Sequence, residues 1–185
     1  MAKNPRRRFA VRDSKIHGKG VFALVDIPKG ELIAEYEGRR IPWSKALKMP
    51  PLDPENPNHT FFFDIDGTTV IDGNQGGNSS RFINHSCSPN CEAIQEERRG
   101  VERVFVHAKR DIRVGEELFY DYALMVNGRV TEKTKREFAC FCGSKNCRGT
   151  MLALKEKKGK KEKKAKKEKK KEKKGKKKEK KGKKA

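Results

Sequence analysis

Apolar and polar positions along the chain mostly follow the alternation of short β-strands rather than the longer period of helices. Two strands joined by a glycine turn are predicted within residues 8–25. Further strands are predicted at residues 31–36, 60–65, 68–71, 101–107 and 117–122. One helix is predicted, over residues 43–49, because Pro50 and Pro51 would end it. The four prolines of residues 50–58 predict an irregular loop. The chain is therefore expected to be mostly β, with short strands and long loops.

Charge divides the chain into two unlike parts. Its 185 residues hold 46 Lys+Arg and 25 Asp+Glu, a formal net charge of +21. Residues 155–185 contain 21 Lys and five Glu, which is +16, and leave +5 for residues 1–154. This tail has no apolar residue larger than alanine, so we expect it to be disordered. The first 154 residues carry enough apolar side chains for one core.

Several classes of protein are excluded by simple features of the sequence. No run of about 18 apolar residues is present, so no membrane-spanning helix is predicted. The basic residues 1–12 are not followed by the apolar stretch of a secretion signal. Five cysteines cannot all pair with one another within a single chain. We expect an intracellular protein in a reducing compartment.

Three of the cysteines form a C-x-C-x4-C cluster, at Cys140, Cys142 and Cys147. Thiolates at such short spacing favour a tetrahedral metal site, and zinc is the usual ion for sulfur ligands without redox chemistry. Either Cys87 or Cys91 could supply a fourth thiolate, and spacing alone does not choose between them. Unligated free thiols are the alternative.

Residues 81–91, R-F-I-N-H-S-C-S-P-N-C, mix apolar and hydrogen-bonding side chains without a helical period. This pattern predicts an extended, buried strand lined by polar groups. Buried Asn84 and His85 must find hydrogen-bond partners, either in the protein or in a ligand. From this segment alone, a structural polar network and a binding site are both open.

Six motifs follow one another along most of the chain. They are H-G-K-G-V-F at 17–22, E-Y-E-G at 35–38, G-N-x-x-R-F at 77–82, R-F-I-N-H-S-C-x-P-N-C at 81–91, G-E-E-L-F-Y-D-Y at 115–122 and C-x-C-x4-C-R-G at 140–149. Their order and spacing resemble those of the SET-domain protein lysine methyltransferases. The resemblance covers about residues 8–152, nearly all of the part outside the tail.

This resemblance implies a SET-domain β-clip fold of short sheets. It also implies a C-terminal pseudoknot, in which the Asn84-His85 segment passes beneath a loop of the 120–122 region. Three parts of the chain are expected: a SET domain at 1–136, a post-SET zinc segment at 137–154 and the disordered tail at 155–185.

The resemblance also implies two bound groups, a zinc ion and the methyl donor S-adenosylmethionine. Cys87 matches the family's fourth zinc ligand beside Cys140, Cys142 and Cys147, which leaves Cys91 spare. By position in the motifs, the residues expected at the donor are Gly18, Lys19, Gly20, Tyr36, Arg81, Phe82, Asn84, His85, Phe141 and Met151. Phe141 and Met151, with Leu152, are the candidates to cover the adenine, since Thr150 stands where the family often has an aromatic residue.

Two tyrosines match the family's catalytic positions. Tyr122 would align the amine of a substrate lysine, which ordinarily has a pKa of about 10.4 and must lose its proton before it reacts. A narrow apolar channel and the nearby sulfonium would favour that loss, with the proton going to water. Tyr120 stands where the family varies between Tyr and Phe, and its hydroxyl predicts mono-methylation, with di-methylation as the next product.

The lysine-rich tail has three interpretations. It is an electrostatic anchor on nucleic acid, a substrate for the enzyme's own site, or a solubilising extension. It has no aromatic residue, so binding to nucleic acid would be blind to sequence. Its composition resembles the lysine-rich tails of linker-histone-like proteins.

The function expected from these features is transfer of a methyl group to lysine in a histone-like, chromatin or nucleoid protein. The protein would act as a monomer in a nucleus, on a chromosome, or in a bacterial cytoplasm or nucleoid. The alternative is a catalytically weak SET-like module that is tethered to DNA by the tail.

Overall fold

A computed structural model of the chain describes residues 7–126 and 128–153. The prediction of a mostly β protein is confirmed for this part, whereas the predicted tail at 155–185 lies outside the described residues. The strands are β1 (Phe9–Asp13), β2 (Lys19–Ala23), β3 (Leu32–Glu35), β4 (Arg39–Pro42), β5 (Phe62–Asp64), β6 (Thr69–Asp72), β7 (Asn84–His85), β8 (Cys91–Arg98), β9 (Val101–Ala108) and β10 (Phe119–Tyr120). The helices are α1 (Trp43–Ala46), α2 (Glu132–Glu137) and a 3-10 helix, Ser79–Phe82. No helix in the described ranges combines the length and apolar character needed to cross a membrane.

The strands form four small sheets. Strands β1 and β2 make an antiparallel hairpin, and two three-stranded antiparallel sheets have the orders β3-β9-β8 and β4-β6-β5. Strands β7 and β10 pair in parallel, which brings together two motifs that lie some 35 residues apart. Sheets this small are marginal alone, so packing between them must supply most of the stability.

The main core lies where the hairpin meets the β8–β9 strands and the β7–β10 pair. Its members are apolar side chains that are almost fully removed from solvent, which stabilises them by roughly 1.5–3 kcal/mol each when the side chain is large. They are Val21, Ala23, Ile27, Ile83, Cys91, Val106, Ala108, Ile112, Leu118 and Tyr120.

Several predicted elements differ from the observed ones. The predicted strand at 81–91 is wrong at its start, because Asn78 caps the 3-10 helix by accepting the Ser80 backbone N–H at 3.0 Å. Strand β7 then contains only two residues. The predicted helix at 43–49 ends at Ala46, and the strand at 117–122 shortens to β10.

Three observed elements were not predicted. Strands β4 and β8 are rich in exposed charged and polar positions, so they lack the apolar alternation that marks a half-buried strand. Helix α2 buries no side chain and therefore shows no apolar stripe. Its capping residue, Thr131, accepts the Thr134 backbone N–H at 3.1 Å and was the one available signal.

One buried amide fixes the β10 segment against the core. Asn90 is almost fully buried; its Nδ2 donates to the Glu117 carbonyl at 2.8 Å and its Oδ1 accepts the Phe119 N–H at 2.8 Å. Both backbone groups precede or begin β10, where the two-residue strand supplies few bonds of its own. The Asn90 side chain therefore supplies hydrogen bonds that a longer pair of strands would otherwise provide.

We expect Asn90→Ala to lower the free energy of unfolding by about 2–4 kcal/mol, because two buried backbone groups lose their partners. Urea unfolding would measure the loss. Asn74→Ala is the matched control, since Asn74 is exposed, and it should change stability by about 0.5 kcal/mol or less. Equal stability of the two variants would contradict the role of Asn90.

Candidate active site and metal centre

The Asn84 side chain joins the glycine turn to the β7–β10 pair. Its Nδ2 lies 3.2 Å from the His17 carbonyl oxygen, 2.9 Å from that of Lys19 and 3.0 Å from Glu117 Oε1. All three are acceptors, so the amide nitrogen must face them. The amide oxygen of Asn84 then points elsewhere and accepts no hydrogen bond from another residue of the described part. Asn84 as a whole is 8% exposed, and its amide oxygen remains an acceptor without a protein donor in the described part.

Two glycines allow the turn to approach this close. Gly18 has a φ of +47°, in the left-handed region that other residues rarely adopt. A Cβ on Gly20 would lie 2.1 Å from Glu117 Oε1, so any larger residue would displace that carboxylate. The Ser14 hydroxyl donates to Glu117 Oε2 at 3.1 Å. Glu117 and Ser14 were missed by the sequence analysis, although an acidic residue inside a buried motif strand was an available signal for Glu117.

Three tyrosines gather beside the β7–β10 pair. Tyr122 Oη donates to the Ile83 carbonyl at 2.9 Å, and the Tyr120 ring lies 4.9 Å from the Tyr122 ring. Tyr36 Oη donates to the Phe61 carbonyl at 2.8 Å. Burial raises the pKa of all three phenols above the ordinary value, and the approach of Tyr122 to the other two adds to the effect. They are neutral phenols at physiological pH.

Arg81 and Phe82 form an aromatic and cationic wall beside the turn. The Arg81 guanidinium lies 4.6 Å from the centroid of the Phe82 ring and 5.7 Å from that of Phe61. Its Nη1 donates to the Gly73 carbonyl at 3.1 Å, while its buried Nε has no partner among the described residues. The wall continues to His59, which contacts Phe61 at 5.3 Å and was not among the predicted site residues.

Four cysteine sulfur atoms come together at one point. The Sγ atoms of Cys87, Cys140, Cys142 and Cys147 all lie within 4.8 Å of one another, and those of Cys87 and Cys140 are 3.7 Å apart. A tetrahedral zinc site with bonds of about 2.3 Å separates its sulfur atoms by roughly 3.8 Å. The donor set therefore fits zinc. Cys91 lies instead in the main core, where burial raises the pKa of its thiol to about 12.

Hydrogen-bond donors surround the clustered sulfur atoms. The Ser144 hydroxyl lies 3.2 Å from Cys142 Sγ. Burial opposes ionisation of Cys142, but the Ser144 hydroxyl and the Cys87 backbone N–H outweigh it and lower the pKa of this thiol to about 5. Further backbone N–H groups donate to the other sulfur atoms, from Cys142, Arg148 and Gly149. These donors favour the thiolate of Cys142, whereas burial raises the pKa of Cys87 and Cys140, so that a bound metal would be needed to hold those two as thiolates.

An ion pair joins the cysteine cluster to the tyrosines. Arg148 Nη1 donates to Asp121 Oδ2 at 2.6 Å, and Nη2 donates to Oδ1 at 2.8 Å, in a bidentate arrangement. Burial opposes ionisation of Asp121, but this guanidinium outweighs it and keeps the carboxyl pKa below its usual value. Arg148 follows Cys147, and Asp121 lies between Tyr120 and Tyr122. The sequence analysis quoted both motifs without foreseeing the pair.

The structure brings some of the predicted site residues together and leaves others exposed or buried elsewhere. Gly18, Lys19, Gly20 and Asn84 meet at the turn, and Tyr36, Tyr120 and Tyr122 meet beside it. Of the candidates to cover an adenine, Phe141 is 76% exposed and Met151 is half-buried. Leu152 is fully buried and bridges to Leu124, so it presents no surface to a ligand.

Comparison with known proteins identifies the family. The model of the SET domain matches residues 18–123, more than half of the chain. This range begins in the glycine turn and ends just after Tyr122, so it contains the predicted donor and tyrosine positions upstream of the cysteine cluster. The chain belongs to the SET-domain family.

Individual relatives support this assignment. The chain is 37% identical over 139 residues to "Histone-lysine N-methyltransferase SETD1B" of Homo sapiens, which is 75% of this chain and 7% of the relative. It is 37% identical over 148 residues to "Histone-lysine N-methyltransferase TRX1" of Oryza sativa subsp. japonica; these residues are 79% of this chain and 14% of the relative. It is 39% identical over 137 residues to "Histone-lysine N-methyltransferase, H3 lysine-4 specific" of Chaetomium globosum; these residues are 74% of this chain and 12% of the relative. The chain therefore spans about a tenth of the length of these curated relatives.

We expect Cys87→Ala to lose the bound metal, because it removes one of four converging thiolates. Cys91→Ala is the matched control: it deletes a sulfur atom only four residues away that lies outside the cluster. Elemental analysis of the purified full-length chains would count about one metal ion for the wild type and Cys91→Ala. Loss of metal from both variants, or from neither, would contradict the four-cysteine site.

Proposed function

We propose that this protein is an S-adenosylmethionine-dependent protein-lysine N-methyltransferase. The observation that carries the proposal is the β7–β10 pairing. It places Asn84, with its spare amide oxygen, against the strand that leads into Tyr122, whose hydroxyl is fixed on the Ile83 carbonyl. A binding group for the donor and an aligning group for the acceptor thus belong to one rigid unit.

Two polar atoms without partners in the described structure suit the methionine end of the donor. The Asn84 amide oxygen would accept from its ammonium group, and the buried Arg81 Nε would donate to its carboxylate. The backbone of Gly18, Lys19 and Gly20 would lie against the same end. When bound, S-adenosylmethionine supplies an electrophilic methyl group. We also assign contacts with the donor to Phe82, Tyr36 and the backbone of His85.

Zinc is the metal that we assign to Cys87, Cys140, Cys142 and Cys147. It would be structural, because four thiolates fill a tetrahedral site and leave no position for substrate. Closing this site fixes the segment that presents Phe141 and Met151, which we assign to cover the adenine. We accordingly divide the chain into a SET domain at 1–136, a post-SET zinc segment at 137–154 and a tail at 155–185.

The tyrosines act on the acceptor lysine by position rather than by proton transfer. Tyr122 is a neutral phenol whose raised pKa makes its anion a rare species, so it does not serve as the base. Its proton is held by the Ile83 carbonyl, which leaves the oxygen lone pairs to orient the reacting groups. Loss of solvation in an apolar channel and the positive charge of the donor would favour the neutral amine over the ammonium, and the lysine proton would leave to water.

The substrate that we propose is a lysine of a histone or another chromatin or nucleoid protein. Support comes from the relatives, whose printed names are those of histone-lysine methyltransferases. The place of action would then be a nucleus, a chromosome or a nucleoid. The lysine-rich residues 155–185 would bind nucleic acid or serve as a second substrate in the same molecule. We propose that the enzyme acts as a monomer.

Transfer of a radiolabelled methyl group would test the activity. The full-length chain would be given labelled S-adenosylmethionine with core histones, with linker histone, and alone; a second chain lacking residues 155–185 separates label on the tail from label on the histone. Label on lysine in any arm supports the proposal. No label in any arm, with DNA binding retained, would favour the non-catalytic, DNA-tethered module instead.

Tyr122→Phe tests the aligning role directly. We expect kcat to fall by about 100-fold or more, because the hydroxyl is lost while the ring keeps its packing against Tyr120. Affinity for S-adenosylmethionine, measured by calorimetry, should stay within about twofold of wild type, since Asn84 and the glycine turn are untouched. Wild-type turnover in this variant would reject Tyr122 as a catalytic residue.

Tyr120→Phe tests control of the product. The Tyr120 ring, 8% exposed, lies between Phe63 and Tyr122, and its hydroxyl would occupy volume that a methylated amine needs. We expect wild type to give mono-methyl-lysine with some di-methyl-lysine, and the variant to shift the products toward di- and tri-methyl-lysine. Mass spectrometry of the product peptide at matched turnover would measure the methylation states. An unchanged mono-methyl product in the variant would contradict the role of Tyr120 in product control.

A further inference from the structure

The His85 imidazole lies between the cysteine cluster and the backbone of Tyr122. Its Nδ1 accepts the Tyr122 backbone N–H at 3.1 Å, and its Nε2 lies 3.4 Å from Cys87 Sγ. The residue is 5% exposed, so water does not compete for either nitrogen. Both ring nitrogens are thus engaged by other parts of the protein, and the side chain connects a metal ligand to the residue after Asp121.

These two contacts together require one tautomer. A backbone N–H can only donate, so Nδ1 must present its lone pair to Tyr122. The single proton of the neutral ring is then on Nε2, where it points at the Cys87 sulfur and serves a thiolate acceptor. Asp121 Oδ1 lies 3.6 Å from Nδ1, which is too long for a hydrogen bond and does not compete with the Tyr122 contact.

The same short segment holds Tyr122 at both ends. Ile83 accepts the side-chain hydroxyl, and His85 accepts the backbone N–H. The chain from Ile83 to His85 therefore sets both the position of the Tyr122 backbone and the direction of its ring. The Arg148–Asp121 ion pair is a second, separate connection from the cysteine cluster to this loop.

We propose that the His85 side chain is a positioning residue that couples the metal centre to Tyr122. A metal ion holds the Cys87 sulfur as a thiolate in a fixed place, the thiolate orients the imidazole through Nε2–H, and Nδ1 holds the Tyr122 N–H. Ligands of a metal are commonly oriented by such outer contacts, and here the contact continues to the tyrosine. The inference deepens the proposed function, on which its kinetic readout rests, whereas its metal and exchange readouts do not depend on it.

Two substitutions separate the two halves of the connection. The amide of His85→Asn can place its oxygen near the site of Nδ1 but is too short to reach Cys87. The amide of His85→Gln reaches toward Cys87, as Nε2 does, but leaves the Tyr122 N–H without its acceptor. His107→Asn is the control, because His107 lies on β9 and its Nδ1 faces the Gly30 carbonyl at 3.4 Å, outside the site.

Each variant has its own expected result in the zinc-loaded full-length protein. We expect His85→Asn to weaken zinc affinity by about 10- to 100-fold, measured by competition with a chromophoric chelator, while hydrogen exchange of the Tyr122 amide stays near wild type. His85→Gln should keep zinc affinity within about threefold but speed exchange of that amide by about tenfold or more. In the transfer assay, His85→Gln should lower kcat more than it changes KM for the lysine substrate.

Several results would overturn the coupling. The coupling is refuted if both His85 variants keep wild-type zinc affinity and wild-type exchange of the Tyr122 amide. It is also refuted if both variants lose the two properties equally, because that result indicates only a general structural role. If neither variant folds, the wild-type chain provides the test: removing zinc with a chelator should speed exchange of the Tyr122 amide by about tenfold. Unchanged exchange would refute the proposal, whereas absence of methyl transfer by the zinc-loaded wild type would refute the proposed function alone.

Discussion

The pairing of β7 with β10 is the constraint on which the rest of this structure depends. The strands contain two residues each, yet Asn84, His85 and Tyr120 lie within them, and Tyr122 and Cys87 follow only two residues beyond. Closing a loop of some 35 residues to form so few main-chain bonds is unfavourable without other support. Asn90 supplies that support from the core side, and the Arg148–Asp121 pair supplies it from the cysteine side. The site exists only when this closure is complete.

Most buried polar side chains of the described part are paired, and three of their buried atoms have no partner there: Arg81 Nε, His107 Nε2 and Arg148 Nε. Asn90 engages both ends of its amide with the backbone, and His85 engages both ring nitrogens. At the site, Arg81 Nε is buried without a partner, and the Asn84 amide oxygen accepts no hydrogen bond from the described residues. Leaving a buried group such as Arg81 Nε unpaired costs about 1–3 kcal/mol, so a ligand that pairs it would recover that stabilisation.

The sequence predicted the parts of the site that single motifs carry, but not the connections between them. Strand alternation predicted most of the strands, and spacing identified three of the four cysteines whose sulfur atoms cluster. Spacing could not decide between Cys87 and Cys91, because that choice depends on where a two-residue strand places each sulfur atom. The contacts of Glu117 with Asn84 and of Arg148 with Asp121 join residues 33 and 27 positions apart. No local pattern reports such pairs, since they follow from the closure of the chain.

The site holds side chains of both charges, the Arg81 guanidinium and two carboxylates. Two carboxylates lie near the tyrosines, and one of them, Asp121, is neutralised by the Arg148 guanidinium. The side-chain contacts of Glu117 within the described residues are neutral donors, the Ser14 hydroxyl and the Asn84 amide, so its negative charge is not cancelled. That charge raises the pKa of Tyr122, after burial, and so favours the neutral phenol. The same charge attracts a cation to the glycine turn, where Glu117 Oε1 approaches Gly20. With Glu117 as a carboxylate, Arg81 as a guanidinium and three neutral phenols, the site offers groups of both charges, and its phenols are suited to alignment rather than to proton removal.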